Sequence, residues 1–411
     1  FDTTPAGGSI EIVPHVLGTV NGQQSLVFVT GLGAAGDGDI QLGNVGTDTV
    51  RLGDLSVTGG DFSAATVKIA GDFTSVLGGS QVFSAQTLDA LGNVNATVAG
   101  NESGPIVAGG AVSVTAGGSG MGSIVAAGPV QLAYANAVAR EISSQRGVSL
   151  TATGPVTGSI AATGPVEVSA TGFVSAAVTS GSSASIASVA GVSSRVTAGG
   201  GVNLTSSQGA VSSQVNSGGT VNVSAAGPVT GSIRATGPVA VIASGPVSAT
   251  VRTDNSANIS SASGVSSQVT AGQGVQVTAT QGAVTGSITA GGAVAVNAAG
   301  PVSAAVSTTA AANVVSTSGG VSSVIDAGGP VAVSAPGPVT STIRSGSTVE
   351  LTSSTPIDVQ INGGAVTVNA PGGQVGGVFG EITTRDGGTF VVNDQPVIGN
   401  GETDARQIIV D

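Results

Sequence analysis

The sequence predicts an all-β fold: a single-chain parallel β-helix (β-solenoid) with two short strands in each coil of about 18 residues. The first observation is a repeat, because Val112, Val130, Val148 and Val166 follow one another at steps of eighteen residues. A fixed period of this kind is typical of solenoids, whose coils stack on one another. The second is that aliphatic residues within each repeat are spaced by two, which is strand spacing rather than helix spacing. The third is that Gly-Pro or Gly-Gly pairs separate the aliphatic runs, as turns do.

The first strand of each coil is predicted from two aliphatic positions. The steps between coils are eighteen or nineteen residues, with one of seventeen at the end, and about 15 regular coils result. The first position is occupied by Val112, Val130, Val148, Val166, Ala184, Val202, Val221, Val239, Ala257, Val275, Val294, Ala312, Val331, Val349 and Val366. The residue two positions later is Val, Leu or Ile in every one of these coils.

The second strand begins eight or nine residues into the coil, at a valine such as Val156, Val174 or Val192. In the coil that starts at Val148, the first strand directs Val148, Leu150 and Ala152 inward. After the corner at Gly154-Pro155, the second strand is expected to direct Val156, Gly158, Ile160 and Ala162 inward. Proline fixes φ and lacks a donor, so it belongs at corners. Since one coil buries too little apolar surface to be stable alone, stability must come from stacking.

Four segments are predicted along one elongated body. They are an N-terminal strand or cap segment (1–38), irregular solenoid coils (39–110), the regular rod (111–380) and a C-terminal strand or cap segment (381–411). The terminal segments contain strand-like runs, such as Ser25 to Val29 and Ile408 to Val410. A trimer of intertwined chains is a structural alternative with the same pattern.

The charge distribution excludes some functions. The net charge is −12, and ten of the 22 acidic residues precede residue 103 while six follow residue 380. An acidic chain without a basic stripe and with few aromatic residues is a poor nucleic-acid binder. It contains no run of eighteen apolar residues, so no membrane span is expected. Repeats that are rich in Gly, Ser and Thr and poor in Lys favour an extracellular or cell-surface location.

Two glycine- and aspartate-rich features near the N-terminus are weak candidates for binding sites. Gly31 to Gly36 matches a dinucleotide-binding fingerprint, but turn and strand residues follow it instead of the required helix. A glycine-rich turn is therefore the preferred interpretation, and no cofactor is predicted. Asp37, Asp39 and Asp48 are candidate Ca²⁺ ligands, because Ca²⁺ prefers oxygen.

The residues expected of an enzyme are scarce, so no catalytic residue is assigned. His15 is the single histidine and stands beside Pro14. Glu350 and Asp358 are predicted to project from the outer faces of opposite sheets, which does not suit paired-carboxylate hydrolysis. A polysaccharide-acting β-helix enzyme is the least favoured function.

Three surface patterns are predicted on the regular rod. Arg234 and Arg252 occupy the same outward position in adjacent coils, which makes them solvated arginines or an anion-binding ladder. Outward Ser and Thr pairs such as Thr230 and Ser232 suggest an ice-binding hydroxyl lattice that orders water, although other residues interrupt it. Asn-x-Ser/Thr sequences are potential glycosylation sites and occur at Asn95, Asn101, Asn203, Asn222 and Asn258.

Several phrases of the repeat resemble filamentous-haemagglutinin-type β-solenoid adhesins. They are Gly-Gly-Asp-Phe at 59–62, Gly-Asn-Val-Asn-Ala-Thr at 92–97 and Gly-Pro-Val-Thr-Gly-Ser-Ile at 154–160, within a resemblance that covers about 38–380. The resemblance implies an extracellular parallel β-helix that forms a fibre or an adhesive stalk. We therefore expect a self-assembling subunit of a filament, fibre or sheath, whose partners are copies of itself. The alternative is an adhesin or carbohydrate-binding stalk, whose partners are glycans or cell surfaces.

Overall fold

The predicted fold class is confirmed by the computed structural model of the chain. The structure describes residues 1–3, 8–31, 38–78, 83–355, 357–369, 378–379, 382–384, 390–392, 395–396 and 408–410. Over these residues the chain is a parallel β-solenoid of about 18 turns with two parallel sheets and no helix. It comprises two compact units, Phe1–Ser207 and Gln208–Asp411, each built from the same kind of coil.

Each unit contains a sheet A and a sheet B, and successive coils contribute one strand to each. In the first unit, the strands of sheet A are Leu26–Val29, Leu55–Gly59, Phe73–Leu77, Val94–Val98, Val112–Ala116, Val130–Tyr134, Val148–Ala152, Val166–Ala170, Ala184–Ser188 and Val202–Ser206. The strands of sheet B are Ile10–Val16, Ile40–Val45, Phe62–Ile69, Phe83–Ala90, Glu102–Ser103, Ile106–Ala108, Gly120–Ala126, Val138–Ser144, Val156–Ala162, Val174–Ser180 and Arg195–Ala198.

The second unit repeats this arrangement. Its sheet A comprises Val221–Ala225, Val239–Ala243, Ala257–Ser261, Val275–Ala279, Val294–Ala298, Ala312–Ser316, Val331–Ala335, Val349–Ser353, Val366–Asn369, Phe390–Val392 and Gln395–Pro396. Its sheet B comprises Val211–Ser217, Val229–Ala235, Val247–Thr253, Val265–Ala271, Val284–Ala290, Val302–Thr308, Val324–Ala327, Val339–Ser345, Ile357–Gly363, Val378–Phe379, Ile382–Thr384 and Ile408–Val410. The strand-like runs predicted in the tail are thus strands.

The aliphatic columns lie in register, as the repeat predicts. Val130 pairs with Val148, and Val148 pairs with Val166, in parallel strands. All three side chains are at most 2% exposed. Equivalent aliphatic residues of adjacent coils therefore stack inside the solenoid, and burial of these columns supplies its hydrophobic core.

The inward orientation predicted for Gly158 is wrong. Gly158 is exposed, whereas its neighbour in register, Ala176, is buried. Its φ of 105° lies in the left-handed region, and a Cβ atom there would collide with the carbonyl oxygen of Arg140. Glycine adopts this conformation at little steric cost and has no side chain to bury. Gly231 and Gly286 have the same conformation in the second unit, with φ of 107° and 111°.

Buried hydroxyl groups tie each coil to the corner of the preceding one. In both sheets the last inward position of a strand is often Ser or Thr instead of Ala. Each of these hydroxyls donates a hydrogen bond of 2.6–3.0 Å to a glycine carbonyl sixteen residues earlier, as seen for Ser144, Ser180, Ser188, Thr253, Ser261, Thr308, Ser316, Ser345 and Ser353. Corner carbonyls that sheet pairing leaves free are satisfied in this way.

None of the described residues belongs to a helix long and apolar enough to cross a membrane.

Candidate functional sites

A buried polar cluster of Glu102, Tyr134 and Arg140 interrupts the aliphatic core of the first unit. The side chains of Glu102 and Arg140 form an ion pair and are both 0% exposed. The Tyr134 hydroxyl donates a hydrogen bond of 2.8 Å to Glu102 Oε2. The Arg140 guanidinium also lies over the Tyr134 ring, with Cζ 5.8 Å from the ring centroid. The three side chains therefore form one network that connects sheet A with sheet B.

Glycine residues make room for this polar cluster. Arg140 occupies an inward position of its strand and pairs in register with Gly122 on one side and Gly158 on the other. Neither glycine places a side chain in the core beside the guanidinium. Glu102 pairs in register with Gly120, where a Cβ atom would collide with the Tyr134 ring. The large polar side chains of the cluster therefore fit in the core because the glycines in register with them have no side chains.

Burial determines the electrostatics of the polar cluster. It lowers the pKa of Arg140 to about 10, which leaves the guanidinium charged at neutral pH, and it raises the pKa of Tyr134. Within the described structure, Glu102 Oε1 and Arg140 Nε and Nη1 have no hydrogen-bond partner. Both charged side chains are thus held in the core, where their protonation states depend on each other and on burial.

Glu102 and Arg140 are not among the site residues that the sequence predicts. The signal was present, because Val138, Arg140 and Ile142 follow the same spacing as Val156, Gly158 and Ile160. The spacing of valines thus places a charged residue at an inward position, where a charge requires a partner. Glu102 lies 38 residues earlier, in a shorter and less regular strand.

An open depression of about 550 Å³ lies on the outer side of the same coils. Its lining includes Pro105, Gly122, Gly158 and the carboxylate-bearing Glu141. The exposed side chain of Met121, 52% accessible, lies immediately before Gly122 on the same strand. The depression is shallow and carries a single charged side chain exposed to solvent, so it lacks the convergent polar groups typical of a catalytic pocket.

The structure places the candidate Ca²⁺ ligands in separate interactions. Asp37 lies outside the described residues. Asp39 Oδ1 accepts a hydrogen bond of 3.1 Å from the Asp61 backbone N–H. Asp48 forms an ion pair with Lys68, and the hydrogen bond from Lys68 holds the pKa of Asp48 below its ordinary value. Among the described residues no three His, Cys, Asp or Glu side chains are grouped as metal ligands. The Ca²⁺ site stays a prediction, as does the turn at 31–36, which lies almost entirely outside the described residues.

The residues considered for catalysis lie apart. Glu350 is exposed on the sheet A strand Val349–Ser353, and Asp358 is exposed on the sheet B strand Ile357–Gly363. This confirms their predicted placement on different sheets. His15 is exposed, and its Nδ1 lies 3.4 Å from the Asn44 Nδ2 atom.

The outer face of sheet B in the second unit carries a continuous column of hydroxyl groups, here called the hydroxyl column. Its members follow the first inward valine on the sheet B side of each coil: Ser212, Thr230, Ser248, Ser266, Thr285, Ser303, Ser322 and Thr340. Ser322 follows the isolated bridge residue Val321, and the other members lie within strands. Two adjacent members are in contact, since the Thr230 hydroxyl donates a hydrogen bond of 3.0 Å to Ser212 Oγ. Arg234 and Arg252 lie on the same face, are exposed and pair in register, as predicted.

The asparagine residues of the five Asn-x-Ser/Thr sequences are all exposed. Asn101 Oδ1 accepts a hydrogen bond of 2.8 Å from the Ser119 backbone N–H, so its amide also supports the next corner. Glycosylation at these positions stays a prediction.

The first coil of the chain presents apolar side chains to solvent, here called the N-terminal apolar surface. Its members are between 54% and 71% exposed: Phe1, Val13, Leu17, Val20 and Val27. The Phe1 ring stacks on Phe28 with 5.3 Å between the ring centroids, and Asp2 bridges to Val29. The strand Ile10–Val16 pairs with Ile40–Val45 on one side. No strand of the described chain lies along its other edge.

The chain matches no known protein-family model, no curated protein and no solved structure. The parallel β-solenoid implied by the resemblance to haemagglutinin-type adhesins is confirmed by the coordinates.

Proposed function

We propose that the chain is an extracellular structural protein that assembles with copies of itself through its terminal coils into a filament, fibre or sheath. The main support is the N-terminal apolar surface beside an open strand edge. An apolar side chain left in water, next to unpaired backbone groups, favours addition of another strand. The Gly, Ser and Thr content of the repeats supports the extracellular location.

The last strands of the chain suggest which edges meet. Sheet B ends with Ile408–Val410, which pairs in parallel with Ile382–Thr384. Sheet A ends with Gln395–Pro396, which pairs antiparallel with Phe390–Val392. The coils stack through parallel strand pairing, so the next copy is expected to pair with the last strand of sheet B, which is parallel to its neighbour. Its partner is the segment Ile10 to Ile12, which precedes the irregular pairing at Pro14.

Glu11 provides a sharp test of this contact. Ile10 N donates to Asp39 O on the neighbouring strand. Because successive residues of a strand direct their N–H groups to opposite sides, the Glu11 N–H faces the open edge. Glu11→Pro removes this donor and keeps the pairing with Ile40–Val45, since proline is tolerated at edges. Glu11→Gln is the matched control, because it keeps the N–H and removes only a charge.

Light scattering and negative-stain electron microscopy over a wide concentration range measure the assembly. The unsubstituted chain and Glu11→Gln are expected to form longer particles as concentration rises, whereas Glu11→Pro stays short. A chain that remains monomeric throughout would contradict assembly. Equal assembly by Glu11→Pro would contradict the assigned edge.

A carbohydrate-binding stalk is a second candidate, supported by the hydroxyl column. Hydroxyl groups both donate and accept hydrogen bonds, as sugar hydroxyls do. An array of polysaccharides would test this candidate, and binding without polymerisation would favour it over assembly. Absence of binding to every polysaccharide would exclude it.

A further inference from the structure

Arg234 and Arg252 form an uncompensated pair of positive charges on the outer face of sheet B in the second unit. They are directly paired in adjacent parallel strands and both are exposed. Among the described residues, neither forms an ion pair. Like charges on directly adjacent strands repel each other. An anion that lies against both guanidinium groups would relieve this repulsion.

The strands of this face supply no such anion, and in the described structure the exposed Asp254, two residues after Arg252, forms no ion pair with either arginine. The six sheet B strands from Val211–Ser217 to Val302–Thr308 contain no Asp or Glu. Arg344 differs, because it lies in register with Asp326 on the adjacent strand. A carboxylate is thus in register with Arg344, whereas no Asp or Glu is in register with Arg234 or Arg252.

We infer that the sheet B face of the second unit binds an anionic polysaccharide, with Arg234 and Arg252 receiving its carboxylate or sulfate groups. A guanidinium recognises such groups with paired, charge-assisted hydrogen bonds. The hydroxyl column runs along the same face over eight coils, long enough for a polymer rather than a single ion. Two adjacent arginines do not make the long basic stripe that a nucleic acid requires along its path, which favours a more sparsely charged polysaccharide.

The inference rests on the second proposed function and adds the charge of the glycan. Its test measures binding of the purified chain to immobilised polygalacturonate and to neutral dextran, with double-stranded DNA as a second polyanion. The variant is Arg234→Gln/Arg252→Gln, and Arg344→Gln is the matched control from the same outward position of the coil. Because all three arginines are exposed, the substitutions should preserve the fold, which circular dichroism checks.

We expect polygalacturonate to bind more tightly than dextran, and its binding to weaken as salt rises. The double variant should bind it about tenfold more weakly, since each exposed charge contact contributes roughly twofold to fivefold. Arg344→Gln should change it by less than about twofold. Unchanged binding by the double variant would overturn the inference but would leave the proposal of a carbohydrate-binding stalk intact. Tighter binding to DNA would overturn the ligand class, and no binding to either polysaccharide would overturn both proposals.

Discussion

Arg140 occupies a core position that adjacent coils leave to glycine or alanine. Removing two charges from water is costly, and the attraction between them offsets this cost only in part. The polar cluster is therefore sensitive to loss of one partner and tolerant of replacement as a whole. The repeat does not predict this residue-scale exception, because the aliphatic pattern averages over coils and the partners are 38 residues apart.

Replacing Glu102 by alanine should destabilise the fold by about 3–5 kcal/mol, because Arg140 would be buried without a counter-charge. The apolar double variant Glu102→Leu/Arg140→Met should recover most of this loss. The exposed Glu141 is the control, and Glu141→Ala should change stability by less than about 0.5 kcal/mol. Urea unfolding followed by circular dichroism measures the three values. A Glu102→Ala protein as stable as the control would contradict the role of the ion pair.

Tyr134 should make the protein less stable above pH 10. Burial raises the pKa of Tyr134 in the folded state above its ordinary value of 10.0. The neutral phenol is therefore favoured by folding, and its contribution is complete below pH 10 and declines as pH rises further. Tyr134 is the single tyrosine and the chain has no tryptophan, so ultraviolet absorbance of the phenolate reports this group alone.

Tyr134→Phe separates this effect from that of Arg140, whose lowered pKa acts in the opposite direction above pH 10. Without the phenol, the decline in stability with pH should be smaller. Phenolate absorbance that appears near pH 10 while the fold persists would show that the ring is not held as described.

At the scale of the strand, the sequence predicts the aliphatic columns that recur in every coil but does not predict the local backbone geometry of individual positions. The columns of Val148, Leu150 and their equivalents follow from period-two spacing and from the repeat. Gly158 was placed inward because the alternation continued through it, yet its positive φ turns it to solvent. The hydroxyl-to-corner hydrogen bonds also escape prediction, because Ser and Ala both suit a small inward position. Only the backbone geometry of the corner distinguishes them.

Ser261→Ala should destabilise the second unit by about 1–2 kcal/mol, because it leaves buried backbone groups unpaired. The Ser261 hydroxyl donates to Gly245 O at 2.9 Å and accepts from the backbone N–H groups of Ser263 and Gly264. Ser248, exposed on sheet B, is the control, and Ser248→Ala should be nearly neutral. Thermal unfolding of the two variants provides the comparison. Equal melting temperatures would mean that the corner hydrogen bonds add nothing.

At the scale of the whole molecule, stability is shared among many similar coils. Each coil contacts mainly its neighbours, so the solenoid behaves as a one-dimensional stack. The candidate surfaces are less predictable than the fold. The register of Arg234 with Arg252 follows from the repeat, whereas the exposure of Phe1 and Val13 depends on which edges the terminal coils leave open.

Deletion of 166–183, one complete coil of the first unit, should leave a folded protein. Val148 would then pair with Ala184, and every inward column would continue. Deletion of the nine residues 166–174 should disrupt the fold, because later strands would exchange sheets. Circular dichroism and thermal unfolding distinguish the two proteins, and equal stability of both would contradict the stacked-coil account.

Self-association should become stronger as salt rises toward about 0.15 M, where the Debye length falls to about 8 Å. Acidic residues are concentrated near both termini, so like charges oppose contact between the ends at low salt. Sedimentation velocity at two salt concentrations measures this effect. Dissociation on raising the salt would instead indicate contacts between opposite charges.

The polar cluster also bears on how a repetitive chain finds one alignment. A mispairing displaced by one turn would still bring valine against valine along most of the ladder, at little cost in burial. It would separate Glu102 from Arg140, however, and leave both charges buried without a partner. Among the described coils, Glu102 and Arg140 are the one charged pair in the core. The pair therefore makes a misaligned register unfavourable, whereas the repeated valines do not distinguish one register from the next.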